Sequence, residues 1–151
     1  MKPLLLIFTS ALLLCAQPLP PSTTPGALNP SVTQSNIHQT ICDSGWTATV
    51  RPPASFTDKL KAQQMQALGL KGDPHLWEED HRVPLSSGGA PQDPRNLWPQ
   101  KWEGSQGAHA KDAIEDQVHR AICSGRITLK QGREIFLGDW WTLSKKYGLD
   151  K

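Results

Sequence analysis

An excess of charge of one sign is what this 151-residue chain lacks: 16 Lys and Arg stand against 14 Asp and Glu, a formal +2. A nucleic-acid partner chosen by bulk charge is excluded, so any such partner must be read from a local site. Length is short too, which leaves room for one small domain with tails and excludes a two-domain enzyme. Cysteine is scarce, with only Cys15, Cys42 and Cys123, and no C-x-x-C spacing occurs, which argues against a zinc ribbon or knuckle. Internal repeats and any recognisable groove-reading module are absent as well. What is abundant is proline, 13 residues, and tryptophan, six.

Residues 1–16 carry Lys2, then the apolar pieces Leu4 to Phe8 and Ala11 to Leu14, then small Ala16 before Gln17. This pattern predicts a secretory signal peptide and a secreted or periplasmic destination. The apolar stretch is shorter than the roughly 20 residues a membrane span needs, and Thr9-Ser10 interrupts it, so no stable membrane insertion is expected. Cleavage there would remove Cys15 and leave Cys42 and Cys123, which in an oxidising compartment most simply form one disulfide. Closing a loop of about 80 residues, it would contribute about 4.5 kcal/mol by chain entropy. Two free buried cysteines, or two zinc ligands, are the weaker alternatives.

Residues 17–40 are rich in Pro, Ser, Thr, Asn and Gln and read as a flexible stalk. The folded domain is expected over 41–147, with 148–151 as a tail. Trp46, Thr47, Thr49 and Val50 predict a short strand before Pro52-Pro53. Thr57 is the expected N-cap of a helix from Asp58 to Leu68, ended by Gly69. Between Gly72 and Gln100, Asp73-Pro74, Gly88-Gly89, Ala90-Pro91 and Asp93-Pro94 exclude long helices and leave short strands and loops. Ala110, Ile114, Val118 and Ile122 form one stripe of a helix from Gly107 to Ile122. Thr128 and Gln131 form a capping box opening a last helix that reaches Trp140-Trp141. At least four of the six tryptophans are expected in the core, which is a better use of them than base stacking in so small a chain.

Chemistry concentrates in Glu78 to Gly89 and Pro94 to Trp98. The pattern reads as strand, glycine turn, strand, helix. Asp80 and His81 stand at a strand end, and Asn96 follows fifteen residues after His81, across the Gly-Gly loop. Such a hairpin brings together an oxygen ligand, an imidazole base and an amide. Oxygen ligands suit Mg²⁺, and imidazole takes a proton from water near neutral pH.

Asp80-His81, Val83-Pro84-Leu85, Gly88-Gly89 and Asn96-Leu97 resemble the HNH endonucleases and their ββα-metal core, over residues 79 to about 115. More particularly, Asn96-Leu97-Trp98-Pro99 followed by Ala108 to Glu115 is similar to small secreted bacterial HNH-type proteins. The resemblance implies an α+β fold, a ββα core with additional helices. It implies His81 as general base, Asp80 as metal ligand, and Asn96 as second ligand or as the side chain orienting His81. Arg82 and Arg95, beside the motif, are candidate phosphate contacts, with a solvated surface role as the plainer account. The following helix offers His109, Lys111, Asp112 and Glu115 with no clear match to a third ligand. Either two side chains, waters and substrate phosphate hold the metal, or the site is degraded. Lys111 and Glu115 also make an ordinary i,i+4 surface pair.

The expectation is therefore a secreted, metal-dependent phosphodiesterase acting on DNA, or else RNA, with little sequence specificity. Mg²⁺ is the expected ion, with Mn²⁺ or Zn²⁺ as substitutes. The competing expectation is an exported binding or structural module that keeps the scaffold without turnover.

Overall fold

The computed structural model describes residues 20–150. The predicted signal peptide lies outside the described residues. Among the described residues, five α-helices and one two-stranded sheet make an α+β fold: α1 (Trp46–Val50), α2 (Ala54–Ala67), β1 (Trp77–His81), β2 (Leu97–Lys101), α3 (Ala108–Cys123), α4 (Leu129–Leu137) and α5 (Trp140–Lys146). Short 3-10 segments precede or separate them, among them Gln34–Gln39, kinked at Asn36, and the single turns Leu85–Ser87 and Pro94–Asn96. The strands pair antiparallel, with Glu79 opposite Pro99 and His81 opposite Leu97. Helix α2 packs on both strands, and α3 follows β2 directly in chain order.

The core lies between α3, α4 and α5. Ile114, Val118, Ala121 and Ile122 of α3 meet Ile135 and Phe136 of α4 and Trp140 of α5, the stripe that the i+4 spacing predicts. Gly132 lets α3 and α4 approach closely, since a Cβ there would lie 2.5 Å from Ile122 Cδ1. Cys42 and Cys123 form the expected disulfide, Cα to Cα 5.6 Å, tying the segment before α1 to the end of α3. Their sulfurs are therefore not zinc ligands, because a disulfide offers no thiolate. Trp77, Trp98 and Trp140 are buried, while Trp46 and Trp141 pack partly buried against the core.

Several expectations need correction. Residues 46–50 are helical, not a strand: β-branched residues favour strands only where a partner strand exists, and here Ala48 N–H bonds Gly45 O and Arg51 N–H bonds Thr47 O. Helix α2 starts at Ala54 rather than after Thr57, because the Pro53 carbonyl accepts from Phe56 and Thr57 N–H. The last helix is two helices. Thr128 and Gln131 do form the capping box, but α4 stops at Gly138 and Asp139 caps α5 by accepting from Trp141 N–H at 3.1 Å.

Residues 20–40 are packed rather than a flexible stalk. Val32 and Ile37 are buried in the core, Leu28 bridges to Gly89, and Arg133 donates to Val32 O at 2.9 Å. Two well-placed apolar side chains and arginine bonds to the backbone anchor a stretch whose average composition is polar. Leu149 is likewise core rather than tail. Among the described residues, no helix is long and apolar enough to cross a membrane.

Candidate active site

The loop joining β1 to β2 is built around Asn96. Its Oδ1 accepts from Val83 N–H at 2.9 Å and Ala27 N–H at 3.4 Å, and its Nδ2 donates to Val83 O and Ala90 O, each at 3.0 Å. The side chain is 0% exposed and its amide is saturated. Gly89 belongs to the same knot, since a Cβ there would stand 1.8 Å from Val83 O. Gly88, at φ +73°, takes the left-handed conformation that ends the Leu85–Ser87 turn. Asn96 thus braces the loop, and its backbone bonds leave no free amide oxygen for the metal it was expected to bind. Its effect on His81 is indirect: it holds Ala90, and the next carbonyl, Pro91 O, lies 2.9 Å from His81 Nε2.

That contact sets the tautomer of His81, because a carbonyl only accepts: Nε2 carries the proton and Nδ1 keeps its lone pair. His81 is 6% exposed. Burial holds its pKa below the usual imidazole range, and Lys111 and Arg51 push the same way, against the Pro91 bond and Asp80. The ring is a neutral base.

Asp80 points to the other side of β1, to α3. Lys111, 2% exposed, places Nζ 2.8 Å from Asp80 Oδ2 and 2.8 Å from His81 O, and also pairs with Glu115 Oε1. The ammonium donates to the His81 carbonyl and to Glu115 Oε1, and its contact with Asp80 is an ion pair. Burial disfavours that charge, yet Asp80 and Glu115 hold the Lys111 pKa above its ordinary value. Glu115, partly buried with its side chain 20% exposed, is pushed up to about 7 by desolvation against the pull of Lys111. Lys111 is therefore buried and Glu115 half-buried, so the pair is not an ordinary surface one.

The period of a strand turns Trp77, Glu79 and His81 toward α2. There a cleft of about 380 Å³ is lined by Arg51, Thr57, Lys61, Glu79, His81 and Trp102, among others. Both Glu79 carboxyl oxygens are buried without a hydrogen bond, and burial followed by Asp80 raises its pKa to about 8. Arg51, Lys61 and Glu79 were not singled out by sequence reasoning. Glu79 had a signal, standing two residues from His81 on one strand; Arg51 and Lys61 had none, since only folding brings α2 and its preceding turn to β1.

The remaining candidates lie elsewhere. Arg82 aims Nε, Nη1 and Nη2 at the carbonyls of Phe136, Thr24 and Leu137, a clamp between β1 and the α4 end rather than a phosphate contact. Arg95 is exposed and pairs with Asp93 at 2.6 Å, outside the cleft. His109 is exposed, 3.6 Å from Glu103 and with its ring 5.0 Å from that of Trp102. Asp112 lies on α3 and is largely exposed; partial desolvation of its carboxyl, then Asp80, raise its pKa.

The donors that the resemblance assigns to a metal do not fit one. Asp80 holds an ammonium, and Asn96 is saturated by backbone. Among the described residues, three Cys, His, Asp or Glu ligand atoms converge at Cys42, His119 and Cys123, where the disulfide takes both sulfurs and His119 Nε2 donates to Ile41 O at 2.8 Å. Comparison with protein-family models, curated proteins and solved structures finds no match to this chain.

Proposed function

We propose that the chain is a secreted phosphodiesterase acting on nucleic acid, DNA before RNA, with His81 as its base. The observation that carries this is the buried, neutral His81, its tautomer set by Pro91 O, facing a cleft that Arg51 and Lys61 also line. Nδ1 takes a proton from water as the oxygen attacks phosphorus. The P–O bond to the sugar breaks, and its oxygen takes the proton that burial keeps on Glu79. Arg51 and Lys61 offset the phosphate charge. Phosphate contacts carry no sequence information, so cleavage is unspecific. The Cys42–Cys123 disulfide supports an oxidising compartment.

The capture of Asp80 by Lys111 favours a second reading, an exported binding module without turnover. Plasmid nicking separates the two. Wild type should convert supercoiled to nicked DNA, and His81→Ala should lower the rate by about 100-fold or more. Nicking that persists in His81→Ala removes His81 from the mechanism, and no nicking with or without Mg²⁺, Mn²⁺ or Zn²⁺ leaves the binding module.

A further inference from the structure

The buried cation between β1 and α3 has a donor set that belongs to a different ion. Lys111 Nζ is held by Asp80 Oδ2, the backbone oxygen of His81, and Glu115 Oε1. All three are oxygens, and two are carboxylates from separate elements, the chemistry that hard divalent ions select. Two further carboxyls interact electrostatically with the same cluster: Glu78, whose Oε2 is buried without a hydrogen bond, and the exposed Asp112. From the opposite side the Phe136 ring lies 5.5 Å from the ammonium. One ammonium thus stands among four carboxyl groups. It adjoins the base directly, because one of its acceptors is the carbonyl of His81 itself.

We infer that Lys111 is a built-in cation filling a hard-metal position between Asp80 and Glu115, and that taking its charge away turns this position into a divalent-ion site. As it stands, the chain takes no divalent ion there, because the ammonium already occupies the three oxygens. Lys111 is a positioning residue: it fixes Asp80, and through the carbonyl it fixes the end of β1 where His81 stands. Chemistry at His81 then runs without added metal. This last consequence rests on the proposed phosphodiesterase reading; the metal-site inference does not.

The decisive experiment measures Mn²⁺ binding by electron paramagnetic resonance, with melting temperature followed in parallel, on the wild-type chain, Lys111→Ala and Lys111→Gln. Wild type is expected to bind no stoichiometric Mn²⁺. The Lys111 variants are expected to melt lower, to bind one Mn²⁺ per chain, to recover melting temperature as Mn²⁺ is added, and to lose both responses when Asp80→Asn is added. Stoichiometric Mn²⁺ on the wild type that disappears in Asp80→Asn would overturn the inference, because the ammonium would then be displaceable. Folded Lys111 variants that bind no Mn²⁺ overturn it as well, and so do variants that stay unfolded in millimolar Mn²⁺. Nicking by wild type that survives EDTA supports the metal-free consequence, and nicking abolished by EDTA overturns that consequence. Absence of all nicking removes the phosphodiesterase reading and leaves the Mn²⁺ result to decide the site.

Discussion

Glu78 and Glu79 are neighbours on β1 that face opposite sides of the strand, and burial drives each from 4.5 to about 8. Glu115 moves the same way, to about 7. A carboxyl whose pKa is raised by folding holds its proton in the native state after the unfolded chain has released it. Between the two pKa values the native state therefore binds more protons, and stability falls as pH rises. His81, with its pKa lowered, acts in the opposite sense below the ordinary imidazole value of 6.5, but it is one imidazole against three carboxyls. Melting temperature should decline from about pH 5 to about pH 8.5, and Glu79→Gln should flatten the decline. A flat or rising wild-type profile contradicts the burial of these groups. The same acids show how little of a pKa is visible in a sequence: nothing local in Glu78-Glu79-Asp80 distinguishes a buried carboxyl from a solvated one, and only α2 and α3 on the two sides of β1 do so.

The β1 to β2 connection is the element whose sequence pattern has the clearest physical meaning. Gly88, Gly89 and Asn96 are legible as a loop signature, and the structure supplies the reason: one amide closes the loop by three hydrogen bonds, with a fourth to Ala27, against a glycine with no room for Cβ. Asn96→Ala strands Val83 N–H and the Ala90 carbonyl in the interior, at about 1–3 kcal/mol per buried unsatisfied group. Urea unfolding should show a loss of about 3 kcal/mol or more, and Asn96→Asp should also destabilise, because its acceptor-only carboxylate faces two carbonyls. A loss below about 1 kcal/mol would remove Asn96 as the brace. Spacing alone did not distinguish a bracing amide from a ligand, since both roles need the same residue at the same place. The short helix α1 departs from its β-branched composition for a related reason: β propensity describes how a side chain packs on a sheet, and among the described residues the sheet consists of β1 and β2, with no strand pairing residues 46–50.

At the scale of the whole molecule, the disulfide joins residues 81 apart and fastens the N-terminal segment to the helical core. The double variant Cys42→Ser/Cys123→Ser should lose about 4 kcal/mol of stability, read by denaturant midpoint and matched by reduced wild type; a loss under about 1 kcal/mol would mean that the packing of Val32, Ile37 and Ile41 already closes the loop. By itself the sequence determined the helical stripe of α3, the capping box of α4, the disulfide pair and the strand, loop, strand order around His81. These rest on local periodicity, turn chemistry and covalent pairing, which act over a few residues or require only a count. Only the tertiary structure decided that residues 20–40 are packed, that Asp80 faces an ammonium, that Arg82 clamps carbonyls, and that Arg51, Lys61 and Glu79 share a cleft with His81. Each of those depends on which distant groups approach a side chain once solvent is excluded, and long-range approach has no period for a sequence to display.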